Sequence, residues 1–174
     1  DVIDDEMVSK YNRSINMVKS FINSLFDKLE NITVIPYSIK CICKMIAVLF
    51  QKKFKTLTVL ERNAFICEYF FGKLILPVLL NPDINELGSK MIISLTTRKN
   101  CYNIYLVLKN YIRGEFFTGE NNPTLTVFNS FIFDGVSKIN NFIEEVIKVK
   151  LPPKLEKLAE EFYRDSSFKL DNSN

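Results

Sequence analysis

Apolar side chains recur every three or four residues through most of this sequence, which is the spacing of one face of an α-helix. The period-two alternation that marks strands is rare, and only five glycines and six prolines interrupt the 174 residues. The sequence therefore predicts an all-α protein. The first helix is predicted from about Asp4 to Leu29, with an apolar face formed by Met7, Tyr11, Ile15, Val18, Ile22, Leu25, Phe26 and Leu29.

Turn and cap residues place the second and third helices. Pro36 suits a first helical turn, so the second helix is predicted from Pro36 to about Phe54. Thr58 followed three residues later by Glu61 is a capping-box pattern, which begins the third helix. The predicted core-facing residues of these two helices are Ile39, Ile42, Cys43, Ile46, Leu49, Phe50, Phe65, Phe70 and Leu74.

Three further helices bring the predicted number to about six. Loop residues such as those of TGENNPT separate them. Their predicted ranges are Ser94 or Thr96 to about Gly114, Thr124–Val149 and Pro153–Tyr163. No internal repeat or low-complexity segment divides the chain. We therefore expect one antiparallel, bundle-like domain over residues 1–165, followed by a polar tail over residues 166–174.

Composition argues against several kinds of chemistry. The sequence has no histidine, and its four cysteines lack metal-ligand spacing, so neither a metal site nor a histidine general base is expected. Cys41, Cys43, Cys67 and Cys101 are predicted to be small buried residues in a reducing compartment. No phosphate-loop, dinucleotide or nucleophile motif is present. We therefore expect a protein that is not itself an enzyme and that has no cofactor.

The charge pattern argues against two kinds of partner. The formal net charge is only +3, and the lysines are spread along the chain, which is not the footprint of a nucleic-acid-binding protein. The apolar run Leu74–Leu80 is far shorter than the roughly 18 residues that a membrane span needs. No signal peptide is visible and the first residue is aspartate, so the sequence is interpreted as a fragment of a longer, cytoplasmic protein.

The stretch FFGKLILPVLLNP, residues 70–82, combines a nearly pure apolar helix with one lysine and a central proline. Pro77 has no N–H group and cannot donate a hydrogen bond to the carbonyl of Lys73, four residues earlier. A freed backbone acceptor and the only charge of the stretch therefore lie at the same helical turn. This pattern predicts a kinked helix with a candidate site at Lys73.

The same stretch resembles the core motif of the Ras GTPase-activating protein (RasGAP) domain, F-L-R-φ-φ-φ-P-A-φ-φ-N-P, in which φ is apolar. Phe71, Pro77, Asn81 and Pro82 match it in register. Three other segments are similar to motifs of that family in the same order: IPYSIKCICKMI (35–46), TTRKNCYNIYLVL (96–108) and FNSFIFDGVSKINNFIEEV (128–146). The resemblance covers about residues 35–146 and corresponds to the C-terminal part of the family's domain.

This resemblance implies a regulator of a small GTPase of the Ras superfamily. Members of the family insert an arginine finger into the partner's nucleotide site, which can be worth on the order of 10³–10⁵ in rate. The position of Lys73 is an arginine in the family, where it steadies the finger loop. The finger lies well upstream, and Arg13 sits in mid-helix without that loop context. We therefore assign no catalytic residue and expect this fragment to begin after the finger.

Departures from the family pattern leave two other functions open. Lys73 and Gly72 replace the usual arginine and leucine, and Ile104–Leu106 lacks the family's I-A-K lysine. The chain could be a RasGAP-like scaffold or effector that binds a GTP-loaded GTPase without catalysis, or a helical interaction domain with no GTPase link. Basic residues near the kink would attract acidic switch regions. The predicted partner-binding residues are Lys40, Lys44, Lys73, Asn81, Arg98, Lys99 and Lys109.

Overall fold

The computed structural model describes residues 5–81, 93–120 and 122–170, with side chains up to Arg164. These ranges are helical and contain no strand, so the predicted all-α class is confirmed. None of their helices has the length and hydropathy that crossing a bilayer requires. The α-helices are α1 (Asp5–Glu30), α2 (Tyr37–Lys53), α3 (Val59–Leu74), α4 (Leu76–Leu80), α5 (Leu95–Arg113), α6 (Asn129–Val146) and α7 (Pro153–Leu170).

Local caps set several helix ends where the sequence predicts them. Thr58 Oγ1 accepts a hydrogen bond from the Glu61 N–H at 3.3 Å, and Glu61 Oε2 accepts one from the Thr58 N–H at 2.7 Å, which completes the capping box of α3. Ser94 caps α5 by accepting from the Thr97 N–H at 3.1 Å. Gly114 ends α5 in the left-handed conformation with φ of 65°, which favours glycine.

The prediction of one helix from Thr124 to Val149 is wrong at both ends. A 3₁₀ turn occupies Pro123–Phe128, and α6 runs from Asn129 to Val146. The side chain of Asn129 binds the preceding loop, accepting from the Phe117 N–H at 2.9 Å and donating to the Phe117 carbonyl at 3.0 Å. These two hydrogen bonds fix the end of the loop before α6. Their partner, Phe117, lies outside the predicted helix, so the helical pattern does not reveal them. α7, in contrast, extends beyond its predicted end at Tyr163.

Four aromatic rings from four helices form the centre of the core. Phe26 of α1 has its ring centroid 5.3 Å from that of Phe71 in α3, 5.4 Å from that of Tyr111 in α5 and 6.0 Å from that of Phe142 in α6. All four side chains are buried. Since burying one such ring contributes about 1.5–3 kcal/mol, this cluster is a main source of the free energy that holds these helices together.

Gly135 of α6 allows Tyr111 to pack directly on the helix backbone. A Cβ atom at position 135 would lie only 2.2, 2.3 and 2.6 Å from three atoms of the Tyr111 side chain. The Tyr111 ring also stacks on Phe131 with centroids 4.8 Å apart. Burial, with the charges of Asp134 and Asp27, raises the pKa of Tyr111 to about 12. The glycine is therefore required by the close approach of α5 and α6.

The predicted core faces are only partly right. In α1 the buried residues begin at Ile15, and Tyr11 is exposed with its hydroxyl donating to the Thr124 carbonyl at 3.0 Å. In α2 and α3, apolar residues surround much of the helix, so periodicity does not identify the buried stripe. The exposed residues that were predicted to face the core are Met7, Tyr11, Ile42, Phe65 and Leu74, whereas Ala47, Ile66 and Phe71, which are not in the predicted faces, are buried.

A polar network that the sequence analysis missed joins α3 to α6. Asn63 is 1% exposed, and its Nδ2 donates to Asn140 Oδ1 at 3.2 Å and to Glu144 Oε1 at 3.0 Å. Its Oδ1 accepts from Arg62 at 3.1 and 2.9 Å, and Arg62 also forms an ion pair with Glu144. Because both polar atoms of the amide have partners, the desolvation cost of burying it is offset.

Replacing Gly135 by alanine is expected to lower the free energy of unfolding by about 1–3 kcal/mol, because the new methyl group overlaps the Tyr111 ring. Gly72→Ala is the matched control: its Cβ would lie 3.8 Å from Glu68 Oε1, an ordinary contact. Removing a helical glycine there is expected to raise the free energy of unfolding by about 0.5–1 kcal/mol. Urea unfolding followed by circular dichroism measures both. A Gly135→Ala variant as stable as the parent would contradict the close packing of α5 and α6.

Candidate functional site

The site predicted at Lys73 lies where α3 ends and α4 begins. α3 ends at Leu74, Ile75 keeps a right-handed helical conformation, and α4 starts at Leu76 with Pro77 in its first turn. The predicted single kinked helix is therefore wrong, since the proline begins a second helix. Proline suits the first turn of a helix because N–H groups there have no acceptor within the helix, so no hydrogen bond is lost.

Hydrogen bonds and buried side chains hold this break in place. The Ile75 N–H donates to the Phe71 carbonyl at 3.0 Å, and the Val78 N–H donates to the Ile75 carbonyl at 3.1 Å. Phe71 and Leu76 on either side of the break belong to the core. The backbone that carries Lys73 is thus anchored on both sides.

Lys73 itself is exposed on the last turn of α3. Among the residues that the structure describes, none forms a hydrogen bond or ion pair with its ammonium. A cation at this end of a helix also interacts favourably with the helix dipole, typically by 0.3–1 kcal/mol. Lys73 can therefore contribute to helix stability while its exposed ammonium, with three N–H donors, can bind another molecule.

Four other predicted binding residues lie on α5 and at the end of α4. Asn81 is the exposed C-cap of α4, and Arg98 and Lys99 are exposed near the start of α5. Lys109 is half-buried, with its Nζ 5.9 Å from the ring centroid of Tyr105. Because α5 packs along both α3 and α4, these residues and Lys73 belong to one three-helix unit.

The two predicted binding residues of α2 have different surroundings. Lys40 is half-buried, and its Nζ donates to the Ile32 carbonyl at 3.3 Å, so it is engaged within the chain. Lys44 lines a groove between α2 and α7. α2 packs against α3, α6 and α7. A role of Lys40 or Lys44 in partner binding stays a prediction.

An ion pair beside Lys109, which the sequence analysis missed, links α3 to α5. Arg113 donates to the Glu68 carboxylate through Nε at 2.6 Å and Nη2 at 2.8 Å. The hydrogen bonds from Arg113, with its charge and that of Lys109, lower the pKa of Glu68. The same pair raises the pKa of Arg113. The partners are 45 residues apart in sequence, so no local pattern reveals them.

The buried cysteines have the properties of inert core residues. Burial raises the pKa of Cys43 to about 11, and burial together with the charges of Glu68 and Cys43 raises the pKa of Cys67 further. All four cysteines are free thiols, but the prediction that all are buried is wrong for Cys101, which is half-buried. Within the described ranges, no three potential metal ligands come together.

A comparison of the sequence with profiles of protein families shows which family it matches. The sequence profile of RasGAP, described as "GTPase-activator protein for Ras-like GTPase", matches residues 2–112. This chain belongs to the RasGAP family. The matched range includes α1 through most of α5, and with them Lys73, Pro77 and Asn81. Proteins of this family activate the GTPase of a partner and are not themselves the hydrolase.

Two curated relatives of this RasGAP chain come from Dictyostelium discoideum. Ras GTPase-activating-like protein gapA is 28% identical over 145 residues, which are 82% of this chain and 16% of that protein. Ras GTPase-activating-like protein rgaA is 25% identical over 144 residues, which are 83% of this chain and 17% of that protein. The chain thus spans about one sixth of the length of these curated relatives. The resemblance over residues 128–146 lies outside the profile match and stays a prediction.

Replacing Glu68 by glutamine is expected to lower the free energy of unfolding at pH 7 by about 0.5–1 kcal/mol, a value discounted for solvent screening of this partly exposed pair. The folded-state pKa of Glu68 is lowered. Its contribution is therefore present above the unfolded-state pKa of about 4.3 and is lost as pH falls through the lowered folded-state value.

Urea titrations of the parent and Glu68→Gln across the acid range measure this difference, which should shrink below about pH 4. Glu120→Gln, which alters an exposed glutamate, is the control and should show little effect at any pH. A Glu68→Gln effect that stays constant into strong acid would contradict the assigned pair.

Proposed function

We propose that this RasGAP chain binds the GTP-loaded form of a small GTPase of the Ras superfamily and belongs to a domain that stimulates GTP hydrolysis by that partner. The observation that carries the proposal is the profile match over residues 2–112, which includes the break between α3 and α4. The names of both relatives, Ras GTPase-activating-like proteins, support the same function.

The proposed contact surface follows α3, α4 and α5. Lys73, Arg98 and Lys99 are exposed there, while Asn81 and Lys109 border them on the same helices. Positive charge near the acidic switch regions of a GTPase increases the rate of encounter and fixes orientation. The buried neighbours of Lys73 give the surface a defined shape before the partner arrives, which reduces the entropic cost of binding.

Within this surface, Lys73 is proposed to brace the loop that carries the arginine finger. Its ammonium can donate to backbone carbonyls of such a loop, in the role of the family's arginine. Arg13 lies in the middle of α1 and is not proposed as the finger. The arginine that enters the nucleotide site is proposed to come from a part of the protein outside this sequence. We place this activity in the cytoplasm, where free thiols stay reduced.

Binding without catalysis is the second candidate, and the lysine at position 73 is the observation that supports it. An ammonium lacks the planar fork with which a guanidinium braces two acceptors at once, so the exchange weakens any bracing role. This candidate is not favoured over the first. An interaction domain with no GTPase link is less favoured still, because the chain belongs to the RasGAP family.

Reversing Lys73, Arg98 and Lys99 together to glutamate is expected to abolish association with a GTPase loaded with a non-hydrolysable GTP analogue. Negatively charged side chains then face the acidic switch regions of the GTPase, so the two surfaces repel each other. Calorimetric titration against a panel of Ras, Rho and Rab types measures the affinity, with the GDP-loaded forms as comparison. Helicity by circular dichroism should not change, because these side chains are exposed.

The matched control reverses Lys28, Lys55 and Lys154, which are exposed residues outside α3–α5 and give the same change of net charge. Binding should survive this control. Binding that survives the first triple variant as well, or that is lost equally in both, would place the interface elsewhere. A panel in which no GTPase binds the parent chain would reject the proposed function.

Replacing Lys73 by alanine in the complete protein is expected to reduce stimulated GTP hydrolysis by roughly tenfold, or about 1.4 kcal/mol of transition-state stabilisation. Stability should change by much less, since Lys73 is exposed. Lys73→Arg should preserve or raise activity because it restores the bidentate fork. Single-turnover hydrolysis and thermal unfolding measure the two effects. A sharp loss of stability with unchanged hydrolysis would make Lys73 a structural residue.

A further inference from the structure

A groove lies between α2 and α7, and the function proposed above does not account for it. Its volume is about 440 Å³, within the range of about 300–1,000 Å³ that is typical of small-molecule sites. The segment that joins α6 to α7 also lines it. We call it the α2–α7 groove; its lining residues are Lys44, Val48, Lys52, Lys148, Val149, Lys150, Leu151, Glu156, Ala159 and Glu160.

Four lysines line this one groove. Lys44 and Lys52 are half-buried and lie two turns apart on the same face of α2, whereas Lys148 and Lys150 come from the segment before α7. Lys148 forms an ion pair with Glu145, and Lys52 Nζ lies 5.8 Å from the ring centroid of Tyr163. The ammonium groups of Lys44 and Lys150 have no hydrogen bond or ion pair with any residue that the structure describes.

The four lysines outnumber the two glutamates that line the same groove, so its lining carries an excess of positive charge that an anion would offset. Ammonium groups that line one groove repel one another, and this repulsion is screened least at the half-buried Lys44 and Lys52. A ligand carrying several negative charges would relieve the repulsion at several lysines together. Phosphate groups suit this role because charge-assisted N–H···O bonds to phosphate are about twice as strong as neutral ones.

The walls of the groove are fixed by packing and backbone hydrogen bonds. Leu151 and Ala159 are buried at 6% and 1% exposure. The Tyr37 hydroxyl donates to the Lys150 carbonyl at 2.8 Å and holds the segment against the start of α2. The N–H groups of Leu155 and Glu156 both donate to the Pro152 carbonyl, at 2.9 and 3.1 Å. The backbone that carries the lysines is therefore ordered before a ligand binds, which lowers the entropic cost of binding.

Two glutamates on the α7 wall narrow the class of ligand. Glu156 and Glu160 are one turn apart and face the same groove. Their carboxylates repel a ligand that is anionic on every side, but they accept hydrogen bonds from hydroxyl groups. The best match is a molecule with phosphates on one side and hydroxyls on the other.

We propose that the α2–α7 groove binds a polyol that carries two or more phosphate groups, with the phosphates on the lysines and the hydroxyls on Glu156 and Glu160. Inositol phosphates, free or as lipid headgroups, have this chemistry. The proposal assigns Lys44 to the groove and not to the surface proposed for the GTPase. It is independent of GTPase binding and can be tested without a GTPase.

Calorimetric titration of the chain with inositol trisphosphate tests the proposal. We expect saturable binding that weakens as salt increases, and Lys44→Gln with Lys150→Gln should weaken it by roughly tenfold or more through lost phosphate contacts. The matched control is Lys55→Gln with Lys154→Gln, which removes the same charge from exposed residues outside the groove. Circular dichroism verifies that both double variants fold. The absence of saturable binding, or an equal loss in the control, overturns the proposal.

Two further experiments test which chemical groups the groove binds and whether the ligand is a lipid headgroup. Glu156→Gln with Glu160→Gln should weaken the preference for inositol trisphosphate over inorganic tripolyphosphate; an unchanged preference overturns the assignment of the hydroxyls. Co-sedimentation with phosphatidylcholine vesicles containing phosphatidylinositol bisphosphate identifies the source. Binding to these vesicles that free inositol trisphosphate displaces supports a lipid headgroup, whereas binding of the free compound alone supports a soluble ligand. If the chain binds neither free inositol trisphosphate nor these vesicles, the proposal is overturned.

Discussion

The contact between Tyr111 and Gly135 sets how closely α5 can approach α6, and the rest of the core is built around it. With no Cβ at position 135, the Tyr111 ring lies against the helix backbone and also contacts the ring of Phe26. Phe26 then packs on Phe71, one residue from Gly72 and two from Lys73. The orientation of the proposed GTPase surface therefore depends on a glycine in a different helix.

Local chemistry explains which parts of the fold could be predicted from the sequence. The capping box of Thr58 and Glu61 and the left-handed Gly114 involve only neighbouring residues, so the pattern alone located these helix ends. The start of α6 depends on the bonds between Asn129 and Phe117, and the buried stripe of α2 depends on which helices surround it. Those are tertiary contacts, and periodicity carries no information about them.

The same distinction applies to the candidate site. A family motif located Lys73 and Asn81, but the role of Pro77 was predicted incorrectly because a kink and a helix start have the same local sequence. The ion pair of Glu68 and Arg113 and the amide network around Asn63 join residues far apart in the chain. The α2–α7 groove likewise collects lysines from separate segments, and their proximity is visible only in three dimensions.

The position of α1 also has a consequence for synthesis on the ribosome. Tyr11 is bonded to the carbonyl of Thr124, 113 residues later. At about 5–20 residues per second, that acceptor is made roughly 6–23 s after the tyrosine. The apolar stripe of α1, including Ile15 and Ile22, is fully covered only once α6 has emerged. The first helix of this chain is thus among the last to be enclosed, and chaperones that bind nascent apolar helices have their longest opportunity there.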